Sequence, residues 1–293
     1  MRKIIAIAFV FCFALISCYD FDASEIENLN DGEVLKIGHA GLGFHRWYPF
    51  NPLPSNSFKS VLSALEDFNS DGVEVDVQLS ADNVFVLYHD RELNTKTNLK
   101  GCIAQKNWDE LKTAKYKLGY PFDWFQNEKL ITLDSLIDTI KRREVFPYLH
   151  LDLRTHSTCF NAKENSEFKF RFIHELHSFL NEKEVPEDRI FLIASDREVV
   201  SEVQAINSPY PIAYEITHKF SEGLEWAEDN GMQTIIVKRK LLTAEKTKRA
   251  HDKGIEIVTF SAKSKSGNRE LLMLNPDMVQ TDSIDALDEL LTN

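Results

Sequence analysis

His39, Glu74, Asp76, His89 and Asp152 each fall at or beside the end of a strand-like run, and as a set they are the side chains best suited to chemistry. The runs cover 35–39, 72–79, 84–90 and 147–154. Successive side chains along a strand point to opposite faces. Glu74 and Asp76 therefore share one face, and Val73, Val75 and Val77 the other. His150, Asp152 and Arg154 also share a face. Three carboxylates offer hard oxygen ligands to a divalent cation such as calcium or magnesium. Two imidazoles beside them offer an acid and a base. Any one of these residues alone reads as readily as a polar cap on a strand end; the combination points to a site.

The elements that must position them follow from hydrophobic period. Nine strand-like runs are expected at 35–39, 73–78, 84–88, 147–153, 189–193, 211–216, 233–238, 255–260 and 277–281. Most are followed by an amphipathic helical pattern, which argues for a parallel sheet with helices outside. Asn107-Trp-Asp-Glu110 and Ser195-Asp-Arg-Glu198 read as helix starts with a capping-box acid. One connection breaks the alternation. Only residues 79–83 separate the second and third runs, whereas a parallel crossover needs about a dozen residues or more. Those two runs must form a hairpin or bend, which leaves eight strands, the number that closes a (β/α)₈ TIM barrel. The expected fold is that barrel with one hairpin insertion near strand 2, the hairpin returning His89 toward Glu74 and Asp76. An open doubly wound sheet is the alternative.

The first residues read as an export signal. Arg2 and Lys3 precede an apolar run at 4–16, too short to span a bilayer, and Leu15-Ile-Ser-Cys18 follows. This resembles a bacterial lipobox, so residues 1–17 are expected to be removed and Cys18 lipidated. The alternative is a plain cleaved signal or an uncleaved anchor. Tyr19 follows where an Asp resembles an inner-membrane retention signal, so the expected location is the cell envelope, on the outer rather than the inner membrane. Residues 18–32 are acidic and polar and read as a tether, leaving 33–293 as one domain. The formal net charge is −12, and loss of Arg2 and Lys3 deepens it by two. Such a surface repels nucleic-acid phosphate. Cys102 and Cys159 remain after the signal; they could pair in an exported protein, but their positions alone do not establish it.

Two long aromatic loops are expected at the mouth. Residues 40–54 hold Phe44, His45, Arg46, Trp47, Tyr48 and Phe50, and residues 115–130 hold Tyr116, Tyr120, Phe122, Trp124 and Phe125. Barrels place substrate contacts in such loops, although each ring could equally staple its own loop. Arg154, Arg46 and Trp124 are the expected substrate contacts.

Gly38-His39-Ala-Gly41, Pro54-Ser-Asn-Ser57, Asp71-Gly-Val-Glu74-Val-Asp76-Val77, Val84-Phe-Val-Leu-Tyr-His89-Asp90 and Leu151-Asp152-Leu-Arg154 together resemble the glycerophosphodiester phosphodiesterase family. Thr281-Asp282 resembles its closing strand. The likeness runs over roughly residues 35 to 285. It implies a TIM barrel, Glu74, Asp76 and Asp152 as ligands of calcium or magnesium, His39 and His89 as the acid/base pair, and Arg154 near the phosphate. Three motifs depart from the family pattern. Ala40 stands where the family has Arg, Ser55 where it has Glu, and Asp152 with Arg154 where it has Glu and Lys. Asp is shorter than Glu and would draw an ion toward the fourth strand. The Asp and Arg also resemble sphingomyelinase D-like relatives.

The expected function is therefore metal-dependent hydrolysis of a glycerophosphodiester to an alcohol and glycerol phosphate by histidine acid/base catalysis. The expected partners are a small phosphodiester or lipid head group and, through the anchor, a membrane. Two alternatives stay open. One is a phospholipase, C- or D-like, acting on intact lipid. The other is a non-catalytic ligand-binding lipoprotein, which Ala40 and Ser55 favour and the retained histidines and carboxylates oppose.

Overall fold

The computed structural model describes residues 21–44, 47 and 50–292. Cys18, the signal region, His45 and Arg46 lie outside the described residues. Among the described residues, one sheet holds β1 (Leu35–Gly38), β2 (Gly72–Leu79), β3 (Phe85–Leu87), β4 (Tyr148–Leu153), β5 (Ile190–Ala194), β6 (Ile212–Ile216), β7 (Thr234–Lys238), β8 (Glu256–Ala262) and β9 (Met278–Thr281). β1 pairs in parallel with both β2 and β9, and every step from β2 through β4 round to β9 is parallel, so eight strands close a barrel. β3 stands outside the ring and pairs antiparallel to β2. That is the expected barrel with its hairpin.

Helices α1 (Phe58–Glu66), α2 (Trp108–Leu111), α3 (Leu133–Ile140), α4 (Ala162–Lys183), α5 (Arg197–Ala205), α6 (Phe220–Asp229), α7 (Ala244–His251), α8 (Lys265–Leu272) and α9 (Ile284–Thr292) follow the strands. Their starts differ in detail from expectation. The reciprocal capping box lies at Asn161 and Glu164 of α4. Asp196 rather than Ser195 caps α5, and Asn107 makes no side-chain cap bond to α2. Valines at 73, 75 and 77 face outward against these helices in the main core, fully buried with Leu133, Leu136 and Phe172. Burial of each such side chain contributes about 1.5–3 kcal/mol.

The insertion between β3 and α3 has a small core of its own, including Val86, Tyr88, Leu93, Ile103 and Leu111. A disulfide joins Cys102 in this insertion to Cys159 in the loop after β4, across 57 residues. It ties the segment that carries His89 to the loop that follows Asp152 and Arg154. Closing a loop of this length restricts the unfolded chain, so Cys102→Ala with Cys159→Ala is expected to cost about 2–5 kcal/mol. Denaturant titration checks it; a midpoint equal to that of the oxidised wild type would refute the cross-link's role.

The acidic segment expected as a tether folds back on the barrel from Phe21 onward. Ile26 is 6% exposed and packs with Val34, Leu271, Leu287 and Leu290. Its polar composition conceals two apolar anchors, Phe21 and Ile26, and an Asn28 that bonds Pro276 O at 2.9 Å. No helix among the described residues is long and apolar enough to cross a membrane.

Candidate active site

The carboxylates converge as their alternation requires. Glu74 is level with His150 and Asp76 with Asp152 in the parallel register of β2 and β4. One oxygen from each of Glu74, Asp76 and Asp152 lies within 4.8 Å of the others. Glu74 and Asp76 are buried, and the Asp152 side chain is 22% exposed. Several fixed contacts aim them. Ala40 N–H donates to Glu74 Oε2 at 2.8 Å. Asn56 Nδ2 donates to Asp76 Oδ2 at 2.7 Å, and Asp76 N–H returns a bond to Asn56 Oδ1 at 2.9 Å. Ala40 and Asn56 both have positive φ, 48° and 63°, which lets their loops turn sharply onto the strand ends.

Arg154 lies among the ligands rather than apart from them. Its Nε donates to Asp76 Oδ1 at 2.9 Å, its Nη2 bonds the same oxygen, and Nη2 reaches Asp152 Oδ2 at 2.8 Å. The guanidinium thus bridges two of the three acids and offsets one of their charges. Burial disfavours the Asp76 anion, yet Arg154, His89 and Asn56 together hold its carboxyl below the ordinary range. Burial raises Asp152 against the opposing pull of Arg154, with Asp76 adding to the rise. Glu74 is pushed up to about 8, first by burial and then by the Asp76 charge. Three hard oxygen donors whose mutual repulsion is only partly relieved fit a divalent cation. A cation held there would share Asp76 and Asp152 with Arg154.

The two histidines flank this cluster. His39 follows β1, and its Nδ1 bonds Asp282 Oδ1 at 2.7 Å, while Nε2 lies 3.9 Å from Glu74 Oε2. Asp282 follows β9, and its side chain is 3% exposed. Gly43 passes directly over it with φ 77°; a Cβ there would sit 2.5 Å from Asp282. Burial lowers the His39 pKa, but the Asp282 bond and the charges of Glu74, Asp282 and Asp76 outweigh it and raise the ring to about 9. His89 is placed by the hairpin. β3 pairs with β2 as far as Leu87 opposite Val77, and Tyr88 N–H then donates to Asp76 O at 3.0 Å, so the next residue, His89, leaves the ladder beside the acids and lines the cleft with Glu74 and Asp152. Gln78 Nε2 secures the returning chain at Tyr88 O and Asp90 O, at 2.6 and 2.9 Å. His89 Nδ1 bonds Asp90 Oδ1 at 2.7 Å. Burial opposes the Asp90 anion, but bonds from His89 and Thr95 and the Lys96 charge hold its carboxyl far below the usual range. Each imidazole therefore has a carboxylate on Nδ1, which fixes its tautomer and orientation. Phe44 stands edge-on to both rings, 5.0 Å from His39 and 4.9 Å from His89.

A cleft of about 320 Å³ opens onto these groups at the C-terminal ends of the strands. His39, Glu74, His89, Asp152 and Arg154 line one side, and Glu215, Lys238, Phe260, Lys263 and Gln280 the other. Burial and the Asp152 charge push Glu215 up to about 7. His150 lies buried below, bonded at Nδ1 by Gln280 and lowered to about 3 by burial, so it is neutral. Trp124 lies outside the cleft on the rim, 74% exposed and 4.8 Å from Tyr120.

Comparison with known proteins agrees with this fold. The model of the glycerophosphoryl diester phosphodiesterase family matches residues 43–286. The chain belongs to that family. Its barrel resembles a phosphodiesterase of Oleispira antarctica solved with the product sn-glycerol-3-phosphate, with TM-score 0.72, 19% identity, and 88% of this chain and 96% of the other covered. A glycerophosphodiester phosphodiesterase of Parabacteroides distasonis gives TM-score 0.69 at 20% identity, over 88% and 98%. In sequence, a glycerophosphodiester phosphodiesterase of Bacillus altitudinis is 38% identical over 68 residues, 23% of this chain and 27% of the relative. The chain spans about a quarter to a third of the length of the curated relatives it matches.

Family membership and the crowded acids give a measurable consequence. Without a cation, Glu74 keeps a proton up to about 8 that an unfolded Glu loses near 4.5, so stability falls as pH rises through that window. His39 acts in the same direction: its contribution is full below 6.5 and is lost as pH rises to about 9. Chelator-treated protein is therefore expected to melt at lower temperature at high than at low pH within this range. Calcium or magnesium should raise Tm more at the high end, where it replaces the proton. Equal cation-induced shifts at both ends would contradict the assignment.

Proposed function

We propose that this protein hydrolyses glycerophosphodiesters with a divalent cation, using His39 and His89 as acid and base. The observation that carries the reading is the pair of carboxylate-backed imidazoles flanking the acid cluster within one cleft. A phosphodiester monoanion resists nucleophiles because its oxygens are charged. A cation at Glu74, Asp76 and Asp152 supplies charge neutralisation and polarises phosphorus. One imidazole takes the proton from a neighbouring glycerol hydroxyl as that oxygen bonds phosphorus. The other gives a proton to the departing alkoxide as its phosphorus–oxygen bond breaks. Water then opens the cyclic phosphate with the roles exchanged. Arg154 holds Asp76 and Asp152 in place and adds positive charge beside the phosphate. The family, together with the product bound in the Oleispira relative, supports glycerol phosphate as product.

We also place the protein in the cell envelope, held by lipid on Cys18. The disulfide supports an oxidising compartment. The test of the reaction is product analysis on glycerophosphocholine, glycerophosphoethanolamine and glycerophosphoglycerol beside lyso- and diacyl phospholipids, with calcium or magnesium. Glycerol phosphate and free alcohol from the deacylated substrates are expected. Release of phosphorylated head group from diacyl lipid, with the deacylated diesters untouched, would replace this reading by the phospholipase one.

A further inference from the structure

The end of the barrel opposite the cleft is where the described chain begins. Leu29 N–H donates to Asp277 Oδ1 at 2.7 Å and Glu27 N–H to Asn275 Oδ1 at 3.3 Å. Phe21 packs in the same region, beside Leu272, Met273 and Asn275. These partners enter β9 at its N-terminal end, whereas Asp282 and the bond to His39 lie at its C-terminal end. From Asp277 to Asp282 the chain rises about 17 Å at roughly 3.3 Å per residue. Cys18 precedes Phe21 by three residues, which span at most about 11 Å fully extended.

We infer that the protein stands on its membrane through the N-terminal end of the barrel, with the catalytic mouth turned away from the bilayer that anchors it. This rests on the lipidation of Cys18. The occupant of that barrel end is the head-group region of a bilayer, because the short reach from Phe21 keeps the lipid beside Leu272, Met273 and Asn275. Three exposed apolar side chains from separate turns, Leu29, Val145 and Met273, sit at this end, 41%, 63% and 56% exposed. They suit shallow contact with the interface. The rim aromatics Trp47, Tyr120 and Trp124 are also exposed, but they lie at the other end and cannot reach the same bilayer while Phe21 to Leu29 stay docked. Substrate then arrives from solution as a deacylated diester, not laterally as an acylated lipid of the anchoring membrane.

The full-length lipidated protein, reconstituted in vesicles containing brominated phospholipid, tests this. Mass spectrometry of the N-terminal peptide first establishes lipid on Cys18. With Trp108 and Trp226 replaced by Phe, the remaining Trp47 and Trp124 are expected to keep their emission. Met273→Trp, in protein whose four native tryptophans are all replaced by Phe, is expected to lose about half of its emission to the bromines. Quenching of Trp47 and Trp124, or no quenching at residue 273, overturns the orientation while leaving the anchor intact. An unmodified Cys18 overturns the anchor and the orientation with it. Hydrolysis of soluble diester by the same vesicles reports separately on the catalytic reading.

Discussion

Alanine at His39 or at His89 is expected to lower kcat about 10²–10⁴-fold, with cation affinity retained. Each ring is held at Nδ1 by its own carboxylate, Asp282 or Asp90, and lines the cleft beside the acid cluster. Neither is among the three grouped carboxylates. Their loss should therefore reach kcat and kcat/KM alike, the pattern of an interaction made in the transition state. The two sites differ in collateral damage. Asp282 is almost wholly buried, so His39→Ala leaves a carboxylate without its bond, at about 1–3 kcal/mol. His89 is 41% exposed, and its replacement should leave Tm nearly unchanged. His39→Asn keeps a donor toward Asp282 while removing the titrating group, and separates stability from turnover. Steady-state kinetics with calorimetric cation binding on all three variants checks this. A variant with wild-type kcat would remove that histidine from the mechanism.

Asp76→Asn is expected to abolish tight cation binding and to reduce turnover by about 10²–10³-fold, the rate equivalent of several kcal/mol of lost charge stabilisation. Asp76 meets more of the site than either other acid. It accepts from Asn56 on one oxygen and from Arg154 on the other, and its own N–H bonds Asn56. An amide at this position has one acceptor for two donors, so one of Asn56 and Arg154 loses its partner, at about 1–3 kcal/mol. Loss of cation affinity by calorimetry, with a lowered Tm and an unchanged far-ultraviolet spectrum, is the expected combination. Unchanged affinity would move the cation away from this cluster.

The eight-stranded barrel was legible because one short connection, 79–83, could not be a parallel crossover, and the remaining runs alternated with helices. The same argument returned His89 to the acids, and the antiparallel pairing followed by the Tyr88 bond to Asp76 brings it into the cleft beside Glu74. Asp282 was visible only as part of a closing-strand resemblance. Its bond to His39 spans 243 residues and depends on β1 meeting β9, which no local pattern encodes. Asn56 was quoted in a motif without a role; its grip on Asp76 needs a positive φ that sequence marks only as a loop. Glu215 was unread because one acid in an apolar strand looks like any other until the inward face is known. Arg154 was expected beside phosphate, yet two carboxylates within reach hold it first. The apparent tether misled through composition: its acids face water while Phe21 and Ile26 pack inward.

Turnover of glycerophosphocholine by chelator-treated protein, followed as calcium or magnesium is titrated back, tests the central claim most directly. The account predicts little activity at the start and a saturable rise of about 10²-fold or more. The half-saturating cation concentration should match that from calorimetry on the same sample. Full turnover in excess chelator, with no response to added cation, would contradict it.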